Sequence, residues 1–189
     1  MRKNCGKQRN RGYTLIEAII VIAIMAILSG MSFVTIGIIK RAKCNAAAST
    51  LNAQMGSLLI KTKALSEAQG DRLCMKIVHN ATDVTYANGT IAKAGSYSLI
   101  LGYDDGISFT EKTADTVEAT LPNILKIEYE PESGTSDCSL VDGTEEMLIE
   151  FNKSNGSVRY GAGKYKIIYA NNTVATVSLD ASTGNHFVK

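Results

Sequence analysis

Glu17 is followed at once by 22 residues that carry no charge, AIIVIAIMAILSGMSFVTIGII from Ala18 to Ile39. A carboxylate close to a bilayer core costs up to about 2.5–3.5 kcal/mol on insertion scales, so an acid kept there is paired, functional, or shallow enough to reach water. Five residues ahead of it stands Gly12, followed by the aromatic Tyr13. Other chemistry is thinly supplied. The two histidines, His79 and His186, lack an H-E-x-x-H or paired-Cys context and read as surface imidazoles. Gly161-Ala162-Gly163-Lys164 fails as a phosphate loop, because Val158 stands where a Gly is required and Tyr165 where Ser or Thr is required. No G-x-S-x-G elbow occurs. Asp104-Asp105-Gly106 lacks the spaced acids of a Ca²⁺ loop and reads as a solvated turn. The expectation is therefore a non-enzymatic chain with no catalytic residue, no metal ligand set and no cofactor.

The element that must position Glu17 is the uncharged run itself. As a helix its 22 residues span about 33 Å, close to the roughly 30 Å of a bilayer hydrocarbon core. A buried core helix would show a polar face at every turn, and this run shows none. It exceeds the 7–15 residues usual for a signal-peptide apolar region, and no small-x-small cleavage site follows it before Lys40-Arg41, so it is expected to persist in the mature chain. The first twelve residues hold five Lys or Arg and no acid, which leaves the rest of the 189-residue chain with 15 of its 20 basic residues against 18 acidic ones. Basic residues on the N-terminal side keep that end cytoplasmic and place the body outside, although Lys40, Arg41 and Lys43 at the far end oppose this. The overall charge of +2 argues against a nucleic-acid binder held by a strongly basic surface, and the 45% hydrophobic content excludes a wholly disordered chain.

Short basic leader, Gly12, Tyr13, three residues, Glu17 and a long apolar helix form a constellation that resembles the class III signal of type IV prepilins and pseudopilins. The resemblance implies cleavage by a membrane prepilin peptidase between Gly12 and Tyr13, and methylation of the new Tyr13 amine. It also implies that the Glu17 carboxylate neutralises the N-terminal amine of a neighbouring subunit as the helix enters a filament. An unpaired buried charge is costly, so such pairing selects subunits in register. Tyr13 stands where Phe is commoner, and the Pro that many pilins carry within this helix is absent, with Gly30 and Gly37 able to loosen it instead. Further partners implied are other pilin or pseudopilin subunits, an inner-membrane platform and an assembly ATPase. The implied location is the cell membrane, as a single pass, and then a surface filament.

Beyond the run, Cys44, Ala48, Leu51, Met55, Leu58, Thr62 and Leu65 recur at alternating spacings of four and three, one face of a helix. A coiled coil is the alternative to packing on the protein's own sheet. Gly70 is a stop signal, so one helix is predicted from about Thr14 to Gln69. After Gly70 the period becomes two: Tyr97, Leu99, Leu101; Leu125, Ile127, Tyr129; Met147, Ile149, Phe151; Val158, Tyr160; Tyr165, Ile167, Tyr169; Ala175, Val177, Leu179. Asn155-Gly156 supplies a hairpin signal, and residues 146–180 are predicted to form a four-strand antiparallel meander. Residues 80–95 and 131–145 read as loops. The predicted fold is α+β and pilin-like, a long N-terminal helix packed on an antiparallel β-sheet head. Its segments are a removable leader 1–12, a transmembrane and polymerisation half 13–39, an amphipathic continuation 40–70 and a β-rich head 71–189.

Residues 149–184, from IEFNKSNGSVRY through a hairpin to a late strand ending in Ser182-Thr183-Gly184, resemble minor pseudopilins of type II secretion systems; Asn185-His186 follow where those relatives often carry Arg. Three functions stay open: a filament subunit, a minor subunit that primes assembly or binds cargo in a secretion or DNA-uptake machine, and a signal-anchored surface protein unrelated to filaments. A nucleic-acid partner draws no support from the mildly acidic body. Of the four cysteines, Cys5 leaves with the leader and Cys44 falls on the helix stripe as a small core residue. Cys74 and Cys138 fall in the exported body, where an oxidising exterior permits a disulfide; two reduced buried thiols are the alternative. Peptide mapping without reduction should recover the Cys74 and Cys138 peptides linked, and alkylation of both as free thiols would exclude the bridge.

Overall fold

The computed structural model describes residues 14–65, 72–104, 109–111, 117–132 and 146–189, without the side chains of 31–35, 72, 104, 109–111 and 146. Helix α1 runs from Leu15 to Ala64. Twelve strands follow among the described residues: β1 (Arg72–His79), β2 (Val84–Thr85), β3 (Ile91–Ala92), β4 (Tyr97–Asp104), β5 (Phe109–Glu111), β6 (Val117–Leu121), β7 (Lys126–Pro131), β8 (Glu146–Phe151), β9 (Val158–Tyr160), β10 (Gly163–Tyr169), β11 (Asn172–Leu179) and β12 (His186–Val188). The chain divides into two compact units, 1–39 and 40–189.

In the first unit the helix is exposed at every described position from Thr14 to Gly30. Its surface is made of Leu15, Ile16, Ile19, Ile20, Val21, Ile22, Ile24, Met25, Ile27 and Leu28, each at least half exposed, with no polar face. Among the described residues no helix is long and apolar enough to cross a membrane. The uncharged run expected to do so has residues 31–35 in its middle, whose side chains lie outside the description.

The second unit is a helix with antiparallel sheets, the α+β arrangement expected. The first sheet is ordered β5-β4-β1-β8-β9, with β6 also pairing β4. Its inner rows are set by register: Leu99, Ile77 and Met147 lie side by side, as do Leu101, Met75 and Ile149. The second sheet is ordered β12-β11-β10-β7 and turns Ile127, Tyr165, Ile167, Val177 and Leu179 inward. The stripe Cys44, Ala48, Leu51, Met55, Leu58 and Thr62 is buried, and its apolar members join the inner residues of both sheets in one core. Packing on the protein's own sheets, and not a coiled coil, is thus what the stripe serves.

Four expectations need correction. The helix stops at Ala64, not Gln69. Thr62 is its last fully buried stripe position, and Leu65, partly buried against the core, already lies beyond the helix end. Residues 80–95 are not simply a loop: Val84–Thr85 pairs Ile91–Ala92 in a small ribbon. Its base is held by Asn80, whose Nδ2 donates to Ser98 Oγ at 2.8 Å and Ser96 Oγ at 3.1 Å. The late strand ends at Leu179; Asp180 then caps a turn, accepting from Thr183 N at 2.8 Å and Ser182 Oγ at 2.8 Å. The Thr183 hydroxyl, donating from Oγ1 at 2.6 Å, and then Ser182 Oγ and Thr183 N hold the Asp180 carboxyl below its ordinary pKa. The fourth correction concerns 146–180, where four strands form as expected but not as one meander. β8 and β9 belong to the first sheet, β10 and β11 to the second.

The switch between sheets is made at Gly161-Ala162-Gly163. Gly161 adopts φ +84°, and a Cβ there would lie 2.6 Å from the Leu148 carbonyl oxygen. Two phenols pin the corner: Tyr165 Oη donates to Gly161 O at 2.5 Å and Tyr129 Oη to Ala162 O at 2.6 Å. The β10–β11 hairpin turns through Ala170 and Asn171 at φ +48° and +62°, the sign pattern of a type I′ turn. At the free edge of β7 the Ile127 N–H donates to Tyr97 Oη at 3.1 Å, and Pro131 has no N–H to offer. Gly161→Ala should lower the unfolding free energy by roughly 1–3 kcal/mol, from left-handed strain and overlap with Leu148, as read by denaturant unfolding of the full chain in detergent.

Candidate processing and assembly site

The start of α1 is built by two residues. Thr14 is the N-cap: its Oγ1 accepts from Glu17 N at 3.3 Å. Glu17, three residues on, returns its carboxylate, with Oε2 accepting from Thr14 N at 2.8 Å and from Thr14 Oγ1–H at 2.9 Å. This reciprocal closure is a capping box, and it satisfies donors that the first helical turn otherwise leaves orphaned. The negative charge also sits at the positive end of the helix dipole. Within the chain, Glu17 is therefore hydrogen-bonded at the head of an apolar helix, and its side chain is directed back to Thr14. Thr14 is a functional residue that the sequence reading passed over, although Thr14-x-x-Glu17 before an apolar run is itself a capping-box signature.

Gly12 and Tyr13 lie outside the described residues, as does Cys138. Cys74 is buried on the face of the first sheet opposite the helix, between Gly102 and Glu150 in register, with Sγ 3.6 Å from Gly102 O. Glu150 on the same face is 2% exposed, with Oε1 3.4 Å from Arg159 Nη1. Cys44 is fully buried, and burial pushes its thiol pKa up. The histidines are not simple surface imidazoles. His79 is half-buried, its ring 4.9 Å from that of Tyr97. His186 is half-buried over Gly56 of α1, where a Cβ would come within 3.1 Å of its Nε2, and its Nδ1 lies 3.1 Å from Gly184 O. Asp105 and Gly106 of the expected acidic turn are outside the description. Among the described residues no group of three or more His, Cys, Asp or Glu is placed to hold a metal ion.

A capped helix start, a carboxylate aimed at that start and an apolar surface on all sides call for recognition by something that handles such segments as a class. Residues 7–33 match the family model described as the prokaryotic N-terminal methylation motif. The chain carries a type IV pilin-type signal. The matched residues contain Gly12, Tyr13, Thr14 and Glu17 together with the apolar run as far as Phe33. Such a signal marks a membrane-anchored pilin-type precursor, a substrate of prepilin peptidase that assembles with other pilin subunits, and it points to a structural role. No curated protein and no solved structure was found to match the chain.

Thr14→Ala should remove two of the three cap hydrogen bonds, at a cost of about 0.5–2 kcal/mol to the first turn. Amide exchange of Leu15 to Ala18 in the detergent-solubilised full chain should quicken several-fold, with Thr14→Ser close to the unaltered protein.

Proposed function

We propose that this chain is the precursor of a structural subunit of a type IV pilus-like filament. Prepilin peptidase hydrolyses the Gly12–Tyr13 bond, leaving a Gly12 carboxylate on the leader and a free amine on Tyr13. Methylation of that amine replaces one hydrogen and leaves it basic, so it stays a cation able to pair with a carboxylate. The subunit waits in the membrane with residues 13–39 as its anchor, and an assembly ATPase and inner-membrane platform then extract it into the filament.

The observation that carries this reading is the methylation-motif match over residues 7–33, which spans the cleavage dipeptide and Glu17 together. The exposed apolar surface of Leu15 to Leu28 supports it, because such a surface is stable only when lipid or other helices cover it. The Glu17 carboxylate is held by Thr14, the residue after the proposed new N-terminus, which leaves a fixed acceptor at the start of the helix for a neighbour's amine.

Two variants test the reading in cells that carry the assembly machinery. Gly12→Val should leave the leader attached, so that the intact mass retains residues 1–12. Glu17→Ala should be cleaved and methylated as usual, with filament yield reduced by about tenfold or more, as expected for an uncompensated amine in an apolar bundle. Unchanged cleavage of the Gly12→Val chain, or full assembly of the Glu17→Ala chain, would overturn the corresponding step.

A further inference from the structure

Lys40, Arg41 and Lys43 are not used by the processing and assembly reading, and as extracytoplasmic charge they run against the usual orientation bias. The structure gives them a setting. Lys40 is half-buried, with Nζ 5.8 Å from the ring centroid of Tyr169, the last residue of β10. That contact holds the tip of the β10–β11 hairpin beside the first turn of the head's helix. Arg41 and Lys43 are exposed, and so are the tip residues Ala170, Asn171, Asn172 and Thr173. None of these tip residues is charged, and the sequence contains no acid between Glu17 and Glu67. Glu128, on β7 of the same sheet, is paired with Lys126 at 3.4 Å. Lys126 lies opposite Ile168, the residue before Tyr169.

We propose that this pole of the head, made of Lys40, Arg41, Lys43, Tyr169 and the 170–173 tip, is a docking surface for anionic phospholipid headgroups. The inference rests on the membrane-anchored reading above. Among the described residues no ion pair joins Lys40, Arg41 or Lys43 to an acid; three such cations are complementary to a phosphate surface, and each basic residue held near an anionic membrane contributes about fivefold to partition. Tyr169 offers an apolar ring and a polar tip, the side-chain type favoured at membrane interfaces. Asn171 adds an amide donor for phosphate oxygens, while Asn172 Nδ2 donates to Ala170 O at 3.0 Å and fixes the tip. The apolar run ends at Ile39, so the chain delivers Lys40 to the interface wherever that run is inserted. A precursor whose anchor is in the bilayer is thereby held with a defined pole of its head against the lipid.

The test uses the full chain in nanodiscs of phosphatidylcholine alone and of an equimolar mixture with phosphatidylglycerol, followed by amide exchange of the peptide covering 169–175. Exchange should be roughly tenfold slower in the mixture, and the slowing should vanish in high salt. Arg41→Gln with Lys43→Gln should abolish the difference; Lys40 is left intact so that its contact with Tyr169 survives. Equal exchange in the two lipids, or slowing that persists in the neutralised variant, overturns the proposal. Inorganic phosphate added to phosphatidylcholine nanodiscs should have no effect, and an equal slowing there would replace the lipid by a free anion. Failure of the chain to enter either nanodisc would overturn the anchor reading and this proposal with it, whereas insertion with lipid-blind exchange overturns this proposal alone.

Discussion

A helix with apolar side chains on all sides cannot stay in water, and that constraint governs the first unit of this protein. The backbone of α1 satisfies its own hydrogen bonds, so the segment can enter an apolar environment at no cost from its interior peptide groups. Its start is the exception, because the first turn has amide groups with no partner inside the helix. Thr14 and Glu17 close on each other at that point. The same pair therefore solves a local backbone problem and keeps a carboxylate tolerable beside a long apolar surface.

The same helix obeys a second rule once past Lys40. Its apolar residues narrow to the stripe from Cys44 to Leu58, with polar groups such as Asn52, Lys61 and Lys63 elsewhere around it. One continuous element thus changes from a surface that requires an external cover to a face that supplies a core for its own head. The head closes around that stripe because the chain leaves one sheet for the other at Gly161-Ala162-Gly163. No Trp is needed: among the described residues the largest fully buried side chain is Tyr165, whose hydroxyl ties off the Gly161 carbonyl at that corner. Ring and hydroxyl serve packing and backbone satisfaction together.

What could be read from the sequence divides along physical lines. The apolar run, the helix stripe and most strands of the second sheet were legible because each has one face toward a core and one toward water, or no polar face at all. β1 was missed because it is central: Leu73, Cys74, Met75 and Ile77 are all buried, and a strand covered on both faces loses its period of two. β6 was missed for the opposite reason, since Val117 and Leu121 are separated by the weak signals of Glu118, Ala119 and Thr120. The partition of β8 to β11 between two sheets depends on pairing across the whole head, which local alternation does not encode. At the candidate site, Gly12, Tyr13 and Glu17 were legible as a spacing, whereas the role of Thr14 emerged only from hydrogen-bond geometry.

The edges of the head bear on how copies of this protein could associate. A sheet edge offers strand addition only where its outward donors are free, and at β7 the Ile127 N–H is taken by Tyr97 while Pro131 has none. β12 is three residues long, too short a template for a stable added strand. Burial of Tyr97 raises its phenol pKa, so the hydroxyl stays neutral and its oxygen remains a steady acceptor for Ile127 across the physiological range. On the filament reading, the driving force for association then comes from covering the apolar helix, while the heads contribute shape and register. A contact of that kind joins different surfaces of successive copies, and heterologous contacts that do not close propagate as a helix of subunits. An exposed apolar rod combined with guarded edges on the second sheet is therefore a physical route to an ordered filament in place of indiscriminate pairing of that sheet.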